Sequence, residues 1–125
     1  AVADKWSMPA WVEDLCGWLR FLAYESDASG ALHLCQSGEP VSWHGYAVTA
    51  LKCAVKHGLL PSLPPVAEQK LDEQAGFRDA RPRHTAMSCE RLASLMKRPV
   101  RTYEEAIDLA VARYASDPTF LSRIS

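Results

Sequence analysis

Large apolar side chains recur at helical spacing near the start of the chain, and this periodicity constrains the fold more than any other feature of the sequence. Four of them stand at i, i+4, i+7 and i+11, namely Trp11, Leu15, Trp18 and Leu22. Residues at this spacing lie on one face of an α-helix. Because proline is well tolerated in the first turn of a helix, the pattern predicts a helix from about Pro9 to Tyr24 or Glu25.

Capping residues predict two further helices. Ser42 is a typical N-cap residue, and Gly58 is suited to the position just after a helix end, so a second helix is expected between them. Thr102 is followed three residues later by Glu105, which is the pattern of a capping box. The helix that follows has an apolar stripe formed by Tyr103, Ile107, Ala110 or Val111, and Tyr114.

The remaining elements are shorter. We expect an acidic helix over residues 65–75, a helix from Thr85 or Ser88 to Met96 that Pro99 ends, and a last turn after Asp117. Residues 32–35 form either a short strand or a packed loop. The sequence therefore predicts an all-α fold, a compact bundle of five or six short helices. We expect a single domain over residues 1–125, with a Pro-rich connector at 61–65.

Composition limits the cellular setting. The chain has 125 residues, of which 48% are hydrophobic, and this is enough to form a core. No apolar run approaches the roughly 20 residues that span a bilayer, and residues 1–8 lack the apolar stretch of a signal peptide. We therefore predict a cytoplasmic protein without membrane contact. The four cysteines are widely spaced and include no CxxC pair, which favours free, buried thiols over a disulfide framework.

One window of the chain is strongly basic. Between Phe77 and Arg101 only Asp79 and Glu90 oppose seven cationic residues, so the window carries +5. Since the whole chain is −1, the other residues together carry −6. Such a field attracts acidic protein surfaces or nucleic acids, although exposed cations can also be a solvated face balanced by nearby acids. The candidate partner-binding residues are Arg78, Arg81, Arg83, Arg91, Lys97, Arg98 and Arg101.

Residues 88–114 resemble a helix-turn-helix in outline. In that motif the first residues of the second helix meet base edges in the major groove. Here those residues are Tyr103, Glu104 and Glu105, and their carboxylates would be repelled by DNA phosphates. The basic residues precede this helix, so phosphate binding by the turn is easier to defend than sequence recognition.

Metal binding and catalysis have weaker support. Cys53 and His57 are four residues apart on a predicted helix, and His33 and Cys35 could complete a Cys2His2 zinc set. Their spacing matches no common zinc motif, however, and Cys53 also fits the apolar side of its helix. No Walker, dinucleotide-binding or nucleophile-elbow pattern is present. We therefore predict no catalytic residue, no metal site and no cofactor, and a protein that is not an enzyme.

The segment from Lys5 to Glu13, KWSMPAWVE, resembles the opening of a group of small phage and prophage proteins that begin with Trp-x-Met-Pro-x-Trp. Those proteins also carry a helix that ends in Gly-Leu-Leu, as Gly58-Leu59-Leu60 does here. The resemblance covers about a quarter of the chain, and residues 26–40 depart from it. It implies a mobile-element origin and brings no assigned activity, catalytic residue or cofactor.

Together these observations predict a small, non-enzymatic helical binding protein. It would act by stoichiometric contact between its basic patch and another protein, with an acidic surface as the expected partner. The alternative is a DNA-binding regulator that uses the helix-turn-helix-like segment. The sequence leaves the oligomeric state open.

Overall fold

The computed structural model describes residues 1–77 and 79–124 and is mostly helical, which confirms the predicted fold class. Arg78 and Ser125 lie outside the described residues. Two short strands, β1 and β2, pair with each other, and residues 71–73 form one 3-10 turn. The strands are Trp6–Ser7 (β1) and Val41–Ser42 (β2), and the helices are Val12–Tyr24 (α1), Trp43–Lys56 (α2), Glu90–Met96 (α3), Tyr103–Ala115 (α4) and Pro118–Ile124 (α5).

Helix α1 ends where the periodicity predicts, but it begins at Val12 instead of Pro9. The preceding residues are extended, because the Pro9 carbonyl accepts a hydrogen bond from the Gln36 backbone N–H at 3.0 Å. Trp11 is the N-cap residue, with ψ at 131°, and its side chain makes no capping hydrogen bond. A long-range contact therefore sets the start of this helix.

The predicted caps of α2 are confirmed. The Ser42 hydroxyl accepts a hydrogen bond from the Gly45 backbone N–H at 3.0 Å. At the other end Gly58 has φ at +76°, the left-handed conformation that glycine adopts without a steric penalty. The Leu59 N–H then bonds back to the Ala54 carbonyl at 2.8 Å, which satisfies an acceptor of the last turn.

The capping box of α4 is also confirmed. The Thr102 hydroxyl accepts from the Glu105 N–H at 3.2 Å, and the Glu105 carboxylate accepts from the Thr102 N–H at 2.9 Å. The last predicted turn is helix α5, where the Asp117 carboxylate accepts from the Thr119 N–H at 2.8 Å. Helix α3 begins later than predicted, at Glu90. The Ser88 hydroxyl accepts a hydrogen bond from the Glu90 N–H in a local turn, and Ser88 is therefore not the N-cap residue.

Residues 32–35 are not a strand. The two-stranded antiparallel sheet instead pairs Trp6 with Ser42 and Ser7 with Val41. Leu32 and Leu34 pack against the main hydrophobic cluster, which consists of Trp18, Leu92 and Val100 with their neighbours. Of the two predicted alternatives for this segment, the packed loop is therefore correct.

The helix predicted over residues 65–75 is wrong, because this stretch forms only the 3-10 turn Leu71–Glu73. The backbone of this stretch is instead hydrogen-bonded to the N-terminal segment of the chain. Ala3 N–H donates to the Gln69 carbonyl at 2.9 Å, and the Gln69 N–H donates to the Ala1 carbonyl at 3.0 Å. A helix here would lose these bonds.

None of the described helices combines the length and the apolar character needed to cross a membrane. All four cysteines are free thiols, but the prediction that they are buried is correct only for Cys35, since Cys16 is exposed and Cys53 and Cys89 are half-buried.

Candidate functional site

Half of the six predicted basic residues that the structure describes contact distant parts of the chain. Arg83 forms ion pairs with Asp4 and, at 2.6 Å, with Asp72. Arg91 donates to the backbone carbonyls of the loop before β2, including that of Ser29 at 2.6 Å. These two guanidinium groups connect segments that are distant in sequence.

Arg101 is held on two sides. One of its nitrogens lies 2.8 and 3.0 Å from the two carboxylate oxygens of Asp14. Its guanidinium carbon lies 5.7 Å from the centre of the Trp11 ring, within the range of a cation–π contact. The side chain thereby fixes α1 to the turn before α4.

The other predicted basic residues that the structure describes form no ion pair or side-chain hydrogen bond with a distant segment of the described chain. The Arg81 guanidinium lies 4.1 Å from the centre of the Phe77 ring. Lys97 and Arg98 are exposed in the turn after α3, and within the described residues neither forms an ion pair. Lys97 has φ at 53° and ends that helix in the left-handed conformation. Arg78, the last member, lies outside the described residues.

A cleft lined by four aromatic residues lies between the start of α1, α2 and α4. We call it the aromatic cleft, and its volume is about 240 Å³. Ordinary ligand pockets are about 300–1,000 Å³, so this cleft suits one end of a ligand better than a whole drug-sized molecule. Its principal lining residues are Trp11, Tyr46, Tyr103, Ile107, Ala110 and Tyr114.

Helix α4 supplies the floor of the aromatic cleft. Tyr103, Ile107, Ala110 and Tyr114 stand at i, i+4, i+7 and i+11, and sequence periodicity assigns this stripe to the core. Ile107 is indeed buried, but Tyr114 is 51% exposed. The sequence therefore identifies the apolar stripe of α4 correctly. It does not show that part of the stripe lines an open cleft, because periodicity gives no information about which segments pack against a helix face.

Gln36 holds the rim of the cleft together and is only 1% exposed. Its side-chain oxygen accepts from the Trp11 N–H at 3.2 Å. Its side-chain nitrogen donates to the Asp14 carboxylate at 3.1 Å and to the Arg101 carbonyl at 3.0 Å. Both N–H groups of the amide and its oxygen therefore have partners within the chain. Nothing in the local sequence indicates this role.

Neighbouring groups position the aromatic rings. The Tyr114 ring packs against Phe120 of α5, with the ring centres 4.9 Å apart. The Tyr103 ring lies close to Gly38, where a Cβ would stand 3.4 Å from the ring. Gly38 has φ at +114°, so its loop approaches the ring in a conformation that other residues rarely adopt. The cleft is therefore largely preformed.

One exposed carboxylate, Glu104, lies next to Tyr103, although it does not line the cleft itself. Within the described residues, Glu104 takes part in no ion pair with a cationic side chain. Burial and the neighbouring Glu104 carboxylate raise the pKa of Tyr103 to about 12. Tyr103 is therefore protonated at neutral pH and is not suited to act as a base.

A polar cluster joins α2 to α4 on another face. The Asp108 carboxylate lies 2.7 Å from Lys56 Nζ and 2.8 Å from His57 Nε2. These hydrogen bonds, that from Lys56 first, lower the pKa of Asp108. Burial, and then the charge of Asp108, raise the pKa of Cys53, so this thiol is a poor nucleophile at neutral pH.

The zinc alternative gains no support from these positions. The Cys35 thiol is buried and donates to the Met87 carbonyl at 3.4 Å, and burial, followed by the nearby Cys89, raises its pKa. Cys53 and His57 instead lie beside Asp108. Across residues 1–77 and 79–124, no group of three or more His, Cys, Asp or Glu side chains is placed to hold a metal ion.

Comparison with curated proteins finds no match. Comparison with models of protein families does find a match. It covers residues 1–116, which include every element that lines the aromatic cleft. It does not bear on the resemblance to small phage proteins. On the extent of this match, the chain belongs to the family described as the RmlD substrate binding domain.

Proposed function

We propose that this chain is a non-catalytic binding domain whose aromatic cleft holds an apolar or aromatic group of its ligand. The cleft itself carries the proposal, because three of its four aromatic side chains are fixed by other residues and its buried amide is already satisfied. A preformed site loses little entropy when a ligand binds. The family description, a substrate binding domain, supports a binding role.

The amount of exposed surface also supports a binding role. A compact monomer of 13.8 kDa is expected to expose about 6,600 Å². This chain exposes 8471 Å², an excess of roughly 1,900 Å², whereas one side of a standard protein interface buries about 800 Å². A binding domain that is partly covered in its complex accounts for such an excess.

An NMR titration with benzyl alcohol tests the cleft. We expect shifts that saturate and that concentrate on the Trp11 indole N–H and the α4 backbone. Ala110→Phe fills the cleft and should remove these shifts. Leu109→Phe adds bulk at a neighbouring, 44% exposed position of the same helix that does not line the cleft, and should preserve them. Equal binding to Ala110→Phe and to the unsubstituted protein would refute the proposal.

A second candidate function is docking of an acidic protein surface on the turn from Lys97 to Arg101. The observation that favours it is the exposure of Lys97 and Arg98, while Arg101 is neutralised by Asp14. The test is a pull-down with Lys97 and Arg98 both changed to Glu. Loss of a captured protein supports this docking, and an unchanged set of captured proteins contradicts it.

The DNA-binding alternative has less support. Glu105 at the start of α4 is used in the capping box, and the helix packs mainly against α2. A salt titration separates the two kinds of partner, because DNA binding through several cations weakens steeply and log-linearly with salt. Absence of any DNA mobility shift at low ionic strength excludes the regulator.

A further inference from the structure

We propose that the outward face of α1 is a self-association surface, against which a second copy of this chain packs its own α1 in the antiparallel direction. This inference does not rest on the aromatic cleft. It starts from four apolar residues that follow one another along α1 at spacings of four, three and four, the spacing of the a and d positions in a coiled coil. These residues, which we call the outer stripe, are Val12, Cys16, Leu19 and Ala23.

The outer stripe is uncovered in the single chain. Val12 is 66% exposed and Leu19 is 51% exposed, and Cys16 and Ala23 are exposed as well. A Cβ placed on Gly17, beside the stripe, would meet no atom within 4 Å. The other apolar stripe of α1 packs against the main hydrophobic cluster. The helix is therefore apolar on two faces, whereas a helix at the surface of a globular protein typically has one.

The order of the residues in the outer stripe suits an antiparallel copy. Its spacings read the same from either end, and its midpoint lies near the centre of α1. A twofold axis through that midpoint places Leu19 of one copy against Cys16 of the other, and Val12 against Ala23. Each larger side chain then meets a smaller one, which allows close packing. A contact of one patch with itself about a twofold axis is the commonest arrangement of homodimers.

The charges beside the outer stripe are complementary in the same arrangement. Glu13 and Arg20 are seven residues apart, so both lie on one side of the stripe, and both are exposed. In an antiparallel pair this side faces its own copy, and Glu13 of each chain comes opposite Arg20 of the other. Arg20 has no ion-pair partner in residues 1–77 and 79–124. Glu13 pairs with exposed Arg113 through Oε1, and its Oε2 atom is not part of that pair.

The size of this contact sets its strength. Helix α1 has 13 residues and is therefore about 20 Å long. One pair of helices of this length buries less than the roughly 800 Å² per partner of a standard interface, and small interfaces are weak and transient. We therefore expect a dimer with a Kd of about 10–100 μM.

Analytical ultracentrifugation of the unsubstituted protein measures the association. With rising concentration, the average mass should increase from 13.8 kDa towards twice that value. Over the same range the rate at which iodoacetamide modifies exposed Cys16 should fall severalfold, because the second copy covers this thiol. A mass of one chain at concentrations up to about 500 μM overturns the inference. A dimer in which the modification rate of Cys16 is unchanged also overturns it, because the contact then lies elsewhere.

A charge at the centre of the outer stripe should prevent the association. Leu19→Glu should leave the protein monomeric at concentrations where the unsubstituted protein is dimeric. The matched control is Leu63→Glu, at a 46% exposed leucine outside α1, which should leave the dimer intact. Equal dissociation constants for the two variants would overturn the inference.

Two charge reversals test the antiparallel arrangement. Glu13→Arg and Arg20→Glu each bring like charges together in a homodimer, so each variant alone should associate severalfold more weakly than the unsubstituted protein. A mixture of the two variants has opposite charges at both contacts, and its mixed dimer should regain the original affinity. A mixture that associates no better than either variant alone contradicts the antiparallel pairing.

Discussion

The Gln36 side chain should contribute more to stability than any other polar group on the rim of the cleft. In Gln36→Leu the Trp11 N–H and the Arg101 carbonyl each lose a partner, and Asp14 loses one of its donors. A hydrogen bond contributes about 1 kcal/mol net, so three of them give a loss of about 3 kcal/mol in the free energy of unfolding. This is a large part of the 5–15 kcal/mol typical of a domain.

Urea denaturation followed by tryptophan fluorescence measures this loss. With an m-value of about 1–3 kcal/mol per molar urea, the midpoint of Gln36→Leu should fall by roughly 1–3 M. The matched control is Gln74→Leu, which removes one side-chain hydrogen bond to Gln69 and should cost no more than about 1 kcal/mol. Equal midpoints for the two variants would show that the buried amide does not hold the rim.

Three further predictions concern other parts of the fold. The pKa of Asp108 is lowered in the folded state, so its contribution to stability is present above the unfolded value and is lost as pH falls through the folded value. Asp108→Asn should flatten the acid side of a plot of melting temperature against pH, and an unchanged slope would contradict this. Burial raises the pKa of Cys35, so mass spectrometry should show iodoacetamide modifying exposed Cys16 first and Cys35 only on unfolding; early modification of Cys35 would argue against its burial. Gly58→Ala should cost about 1 kcal/mol because φ is +76°, whereas Gly17→Ala within α1 should stabilise by up to about 1 kcal/mol, and calorimetry should show melting shifts of opposite sign.

Local signals predicted much of the fold. The Ser42 cap, the Thr102–Glu105 capping box and the left-handed Gly58 all depend on residues within one helical turn. Physical preferences at that range are strong enough to be identified without tertiary information. The helical class followed from these signals together with the apolar stripes.

Non-local contacts account for the errors. The helix expected over residues 65–75 is absent because its backbone bonds to Ala1 and Ala3, and no local pattern indicates that pairing. The start of α1 is moved in the same way by the backbone of Gln36. A sequence pattern indicates only the local preference of a segment for helix, and hydrogen bonds to distant segments can override that preference.

The candidate site shows the same limit. The basic window is obvious in the sequence, yet Arg83, Arg91 and Arg101 each contact a different segment of the chain. The aromatic cleft was hidden because its α4 stripe has the periodicity of a core helix. Only the positions of Trp11, the N-cap residue of α1, and Tyr46 of α2 show that the stripe lines an open cleft.

The most direct test of the proposed binding role is the measurement of intermolecular NOEs between the ring protons of bound benzyl alcohol and the protein. We expect NOEs to the rings of Tyr46, Tyr103 and Tyr114 and to the Ile107 methyl groups, and their loss in Ala110→Phe. NOEs confined to residues outside the aromatic cleft, or contacts that persist in Ala110→Phe, would show that the cleft is not the binding site.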